Sequence, residues 1–248
     1  MTIDKFKIDS FQLMSGAPIY IPSLELLIHQ PRLYEIALIG EEQFYKSLSY
    51  FKIKKELILN IIQDESEKAN FAHITDYDAL RIIINNEPEI EKDMLMIFKM
   101  IIKDLRAVKF NDGFLFISTE LGQQYIINDE SFSVIKDILY QIFNLEDKEK
   151  EFNPASKAAE DIVDKIQERR RKLSNLQGKK DQSVLGDFVS ILAIGLKSLD
   201  INTILNLTLY QIFNIMKRFG MYNQYNIQIQ ALMQGAEDLE LIDWLQKI

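Results

Sequence analysis

A mainly α-helical fold, with a small β hairpin or three-stranded sheet in the N-terminal region and a helical C-terminal region, is what this sequence predicts. Three observations carry that expectation. Apolar residues recur at three- and four-residue spacing over most of the 248 residues, as amphipathic helices require. One β-prone stretch, residues 108–118, is interrupted by Asn111, Asp112 and Gly113, residue types that accept a positive φ. A hydrophobic fraction of 47% beside 27% charged residues belongs to a chain that folds.

Residues 1–31 read as extended and loop-like, because Gly16, Pro18, Pro22 and Pro31 punctuate short apolar runs at 19–21 and 24–28. Pro31 suits the first turn of a helix, and from there Leu33, Ile36, Ala37, Gly40, Phe44, Leu48 and Phe51 keep one helical spacing. Residues 54–62, 76–84 and 89–105 continue it, with Asp76 as an N-cap and Pro88 opening the longest helix. After the hairpin, residues 125–127 supply a third strand, and three strands are about the minimum for a sheet without further support. Residues 131–145 return to helical spacing. From 146 to 182 charge is dense and segregated: Glu146, Asp147, Glu149 and Glu151 come first, and Arg169 to Lys172, Lys179 and Lys180 follow. Such a stretch buries little surface and reads as an exposed, partly helical connection. Residues 184–199, 201–219 and 222–234 then form three helices, followed by a brief piece carrying Trp244. The domain reading is a mostly helical α+β unit at 1–145, a charged linker at 146–182 and a three-helix module at 183–248.

Composition excludes several function classes. A net charge of −8 opposes any smeared attraction to nucleic acid or anionic membrane. With no cysteine there is no disulfide, thiolate nucleophile or thiolate metal site. The first residues alternate charged and apolar side chains, unlike a secretory signal. The most apolar run, 184–199, is broken by Gly186, Asp187, Ser190, Gly195 and Lys197, short of the ~20 apolar residues of a membrane span.

No catalytic set, metal site or cofactor motif emerges. His29 and His73 stand far apart without patterned partners, and a functional histidine needs an orienting group. The acid clusters at 64–67, 76–78 and 237–243 lack calcium-loop spacing and read as solvated faces. The nine glycines never crowd into a phosphate-cradling loop. Arg169, Arg170, Arg171 and Lys172 form the one basic cluster; without aromatic residues beside it, it reads first as a solvated helix face, with contact to nucleic acid as the alternative. Tyr210, Phe213, Phe219, Tyr222 and Tyr225, with Met216, Met221 and Met233, have spacings that fill a helical core. The same amphipathic aromatic and adaptable methionine side chains suit a surface that holds varied apolar segments of a partner.

Two stretches carry a resemblance. Near the start, Arg32, Glu35, Ile36, Ile39, Gly40, Glu41, Phe44 and Leu48 resemble the first helix of small tail-morphogenesis proteins of phages of Gram-positive hosts. Near the end, Leu207, Thr208, Tyr210 and Gln211, then Tyr222 and Tyr225, Gly235 and Ala236, and Trp244 resemble the closing segment of phage tail assembly chaperones, with Asp243 where a basic residue or His commonly precedes the tryptophan. The resemblance implies a cytoplasmic, non-enzymatic chaperone, absent from the mature virion. Its role would be to hold the tape-measure protein, or other tail proteins, while the tail tube assembles. Tyr210, Phe213, Tyr225 and Trp244 are then the partner-binding residues, with self-association as a further option. The rival readings are a virion component at the tail connector or baseplate, and a nucleic-acid-binding regulator using Arg169 to Lys172.

Overall fold

The computed structural model describes residues 6–61, 68, 71, 73–111, 114–119, 124–145, 183–236 and 239–246. Helix α1 (Ser10–Ser15) leads into a hairpin of β1 (Ile19–Ile21) and β2 (Leu26–Ile28), with Ile19 opposite Ile28 and Ile21 opposite Leu26. Helices α2 (Leu33–Ile39), α3 (Glu41–Ser49), α4 (Lys55–Ile61), α5 (Asp76–Asn86) and α6 (Glu89–Ile101) follow. A second antiparallel sheet has β3 (Leu105–Asn111), β4 (Phe114–Thr119) and β5 (Gln124–Ile127) in that spatial order, with β4 central. Then come α7 (Asp129–Ile142), α8 (Val184–Gly195), α9 (Ile201–Leu205) and α10 (Leu209–Met233). The mainly α class, the three-stranded sheet and the helical C-terminal region agree with the sequence reading.

Several boundaries differ from it, each for a local reason. Residues 10–15, expected to be extended, form a helix because Asp9 caps it, accepting from the Phe11 and Gln12 N–H groups, and Gly16 closes it at φ 68°. The single helix expected after Pro31 is two, because Gly40 at φ 93° turns the chain between α2 and α3. Thr75, rather than Asp76, is the N-cap of α5. Asp76 instead accepts from the Lys55 N–H at 3.0 Å and the Lys136 ammonium at 2.7 Å, joining α4, α5 and α7. The longest helix among the described residues is α10. The break expected near Gly220 is absent, since one glycine costs a helix interior only about 1 kcal/mol. The chain breaks instead at 206–208.

Aromatic rings meet within a core made mostly of Ile and Leu. Phe44 and Phe143 meet edge to face at 5.2 Å, as do Phe51 and Phe98 at 5.5 Å, while Phe132 packs against both Phe51 and Tyr77. The buried Tyr77 hydroxyl donates to the Ile127 carbonyl at 2.7 Å, fixing β5 against α5. Buried Asp93 ties α6 to the α3 region by accepting from Gln43 Nε2 at 2.8 Å and from the Tyr50 hydroxyl, beside the Lys46 ammonium at 3.0 Å. Leu185, Leu192, Ile204, Leu209 and Ile212 belong to the same apolar cluster as these N-terminal residues.

Replacing Phe98, fully buried in this cluster, with Ala is expected to cost about 3–5 kcal/mol by denaturant unfolding. Acid should also weaken the fold. Burial would raise the Asp76 carboxyl, but Lys136 and the Lys55 N–H outweigh it and hold it low. Burial is likewise outweighed at Glu35 by the Arg32 N–H and Lys103. Burial, helped by Lys103, holds His29 below its ordinary value. Each group binds fewer protons folded than unfolded, so its contribution is complete above the unfolded pKa and is lost as pH falls towards the folded one. Melting temperature should therefore decline first below about pH 6.5 through His29, and again below about 4.5 through the carboxylates. Asp76→Asn should flatten the lower limb.

Candidate functional site

Helix α10 is held firmly at one end. Thr208 caps it: its hydroxyl accepts from the Gln211 N–H at 3.3 Å, and Gln211 Oε1 accepts from the Thr208 N–H at 2.7 Å. The Gln211 amide then donates to the Met14 carbonyl at 2.7 Å, reaching α1. The Leu33 N–H donates to the Leu207 carbonyl at 2.9 Å, Arg32 forms an antiparallel bridge with Thr208, and the Arg32 guanidinium donates to Asn206 Oδ1 at 3.1 Å. Beneath these bonds Leu209 and Ile212 are buried. A second anchor lies at the start of α8, where the Glu41 carboxylate accepts from the Ser183 hydroxyl and from the Val184 and Leu185 N–H groups. A carboxylate on a helix N-terminus meets both free donors and the positive end of the dipole.

Past these anchors α10 leaves the core. Its 25 residues span ~37 Å at 1.5 Å per residue, yet Leu209 and Ile212 are its fully buried residues and its packing against the core ends at Met216. Gly195, the last residue of α8, makes the final close approach. A Cβ placed there would lie 2.4 Å from the Phe219 ring, so only glycine lets the ring sit against the α8 backbone.

The distal half of α10 is accompanied by residues 239–246, which run antiparallel to it. Gln228 brackets the backbone of this segment: its Nε2 donates to the Glu240 carbonyl at 3.2 Å and its Oε1 accepts from the Ile242 N–H at 2.8 Å. Ten residues earlier on the helix, Arg218 Nη1 donates to the carbonyls of Trp244 and Gln246, each at 2.8 Å. Between these clamps the Trp244 ring meets Tyr222 edge to face at 5.2 Å. Ile242, Trp244 and Gln246 are half-buried, whereas Leu241, Asp243 and Leu245 are exposed. The segment is irregular as far as Asp243 and then turns, the Gln246 N–H donating to the Asp243 carbonyl at 3.2 Å and the Leu245 N–H to Asp243 Oδ1 at 3.0 Å.

The four sequence-predicted aromatics fall into two places. Tyr210 and Phe213 pack against the core cluster at the anchored end, where Phe213 meets Phe188 at 5.6 Å. Tyr225 is half-buried on the distal half, ~18 Å along the helix from Phe213, one turn from the Tyr222 that holds Trp244. Arg218 and Gln228 were not singled out by sequence, and Tyr222 stood there only as a core-filling aromatic and as part of the resemblance. With Tyr225 they form a stripe at four-, three- and three-residue spacing, a helical face visible in the sequence once one end is known. Arg169, Arg170, Arg171 and Lys172 lie outside the described residues. Among the described residues no three His, Asp or Glu side chains are placed to hold a metal, and no helix is long and apolar enough to cross a membrane.

Residues 178–248 match a phage-associated domain family described as the YomV second domain. This match takes in α8, α9, α10 and the 239–246 segment. No curated protein and no solved structure matches the chain.

Gly195→Ala should force Phe219 away from α8 and cost about 1–3 kcal/mol in denaturant unfolding. Gly220→Ala, where an added Cβ meets nothing within 4 Å, should be neutral or stabilising.

Proposed function

We propose that this chain is a phage protein without catalytic activity of its own, acting as a tail-assembly chaperone that holds apolar segments of the tape-measure protein. The observation that carries the reading is the distal half of α10, an amphipathic surface covered by a single short segment of the same chain. Around it Tyr222, Ile227, Met233, Leu241 and Leu245 remain exposed, Met233 at 83% and Leu245 at 69%. Apolar groups gathered around one protruding element are what a chaperone of apolar segments needs. The acidic charge of −8 suits it to keep such a complex in solution. The match of residues 178–248 to a phage-associated family supports a phage role for this region, and the resemblance at 207–244 supplies the tape-measure protein as partner.

In this reading the anchored end of α10 is scaffold and the distal half is the working surface. Tyr222 is therefore the residue to change, since Tyr210 and Phe213 also support the core and Trp244 belongs to the covering segment. Co-expression of the chain with overlapping tape-measure segments should yield soluble complexes, and Tyr222→Ala should reduce recovery several-fold while far-UV circular dichroism stays unchanged. Full recovery by the folded variant would remove this surface from the function. Mass spectrometry of purified virions should find the chain missing. Its presence at stoichiometric levels would favour a connector or baseplate component instead.

A further inference from the structure

Residues 239–246 are held on the distal half of α10 chiefly through their backbone. Gln228 and Arg218 reach backbone groups only: the Glu240 carbonyl, the Ile242 N–H and the Trp244 and Gln246 carbonyls. Backbone bonds of this kind do not depend on which side chains the bound segment carries, because every residue offers the same carbonyl and every residue but proline the same N–H. Side-chain selection falls to the space between the clamps, where one aromatic ring sits against Tyr222.

The hold on the segment is light. Leu241 and Leu245 face solvent at 41% and 69% exposure, and the Gly235 turn at φ 92° returns the chain from the helix. Displacing the segment would cost four hydrogen bonds to its backbone and one ring contact, all of which an incoming segment with the same turn would replace.

The geometry points to Arg218, Tyr222 and Gln228 as a clamp for partner-protein segments that run into a turn carrying one large aromatic, and to residues 239–246 as a built-in competitor that occupies the clamp until such a segment displaces it. This rests on the proposed chaperone reading and adds to it both a mode of recognition and a means of self-restraint. The occupant's chemistry is set by the segment already seated there: an irregular stretch that offers the Glu240 carbonyl and the Ile242 N–H, then a turn at 243–246 that offers the Trp244 and Gln246 carbonyls and one large aromatic ring. A tethered competitor acts at an effective concentration in the millimolar range, so it excludes weak ligands and yields to segments that bind at several points.

Trp244 is the only tryptophan, so its emission reports the clamp directly. A chain ending at Ala236 has none, and a synthetic peptide of residues 239–246 added to it carries the whole signal. The peptide should bind saturably with a blue shift. Binding should weaken about tenfold or more with Arg218→Ala or Gln228→Ala, the loss that follows from removing a charge-assisted or bracketing pair of bonds. Ile242→Pro in the peptide, which removes the N–H that Gln228 receives, should weaken it as well. Absence of binding to a shortened chain that retains its helical circular dichroism would overturn the clamp.

Where the shortened chain fails to fold, full-length Arg218→Ala with Gln228→Ala should red-shift Trp244 with circular dichroism unchanged; unchanged emission would overturn the clamp equally. Concentration-dependent dimers of the full chain that vanish on shortening would place a second copy's segment in the clamp and overturn the partner-segment assignment. Capture of tape-measure segments by a chain that ignores the peptide would leave the chaperone function standing and move its site elsewhere. Peptide binding without tape-measure capture would do the reverse.

Discussion

The arrangement depends on the bolting of the first turn of α10 to the N-terminal body. Within six residues, from Asn206 to Gln211, the chain is bonded to Arg32, Leu33 and Met14, and Leu209 and Ile212 are buried beneath. A single exposed hydrogen bond contributes little, but here the polar groups of a helix start are satisfied over an apolar plug, so this end of the helix is not left to fray. Cap, bridge and plug are each local, and together they set the direction in which a ~37 Å rod leaves the body.

From that constraint the remainder follows. A helix fixed at one end and unpacked at the other keeps its distal half only if its own propensity and a partner surface hold it, since most helical stability in proteins comes from tertiary packing. Residues 239–246 provide that surface with four backbone-directed hydrogen bonds and one ring contact. The Glu41 carboxylate on the start of α8 and the glycine contact at Gly195 place α8 beside the base of the rod, and Ile191 and Ile194 are left exposed on it. Stability is thus unevenly distributed: high where α10 meets the core, low along the part that carries the proposed clamp. Binding surfaces that exchange occupants are drawn from such low-stability regions.

Much of this was legible in the sequence, for physical reasons that differ by residue. The hairpin showed because β-prone runs flank Asn111 and Gly113, and the helices of the core showed because Phe44, Leu48 and Phe51 repeat at helical spacing. Gly40 misled because its positive φ, not its place in the apolar pattern, decides where α2 stops. Gly220 misled in the other direction, since a lone glycine is tolerated inside a helix of 25 residues. The Thr208 to Gln211 capping box was present as a pattern, yet the extended apolar spacing from Ile201 onward concealed it. Trp244 stood out by its rarity. Arg218 and Gln228 did not, because their partners are backbone atoms 12 to 28 positions away, and a backbone carbonyl leaves no trace in a residue sequence.

Hydrogen exchange resolved along α10 tests the picture most directly. Amides of residues 212–216 should exchange only through global unfolding. Those of residues 222–233 should exchange orders of magnitude faster, and faster still in Arg218→Ala, with 212–216 unaffected. Uniform protection along the whole helix, or acceleration of both halves together in the variant, would contradict a rod anchored at one end and covered at the other by a replaceable segment.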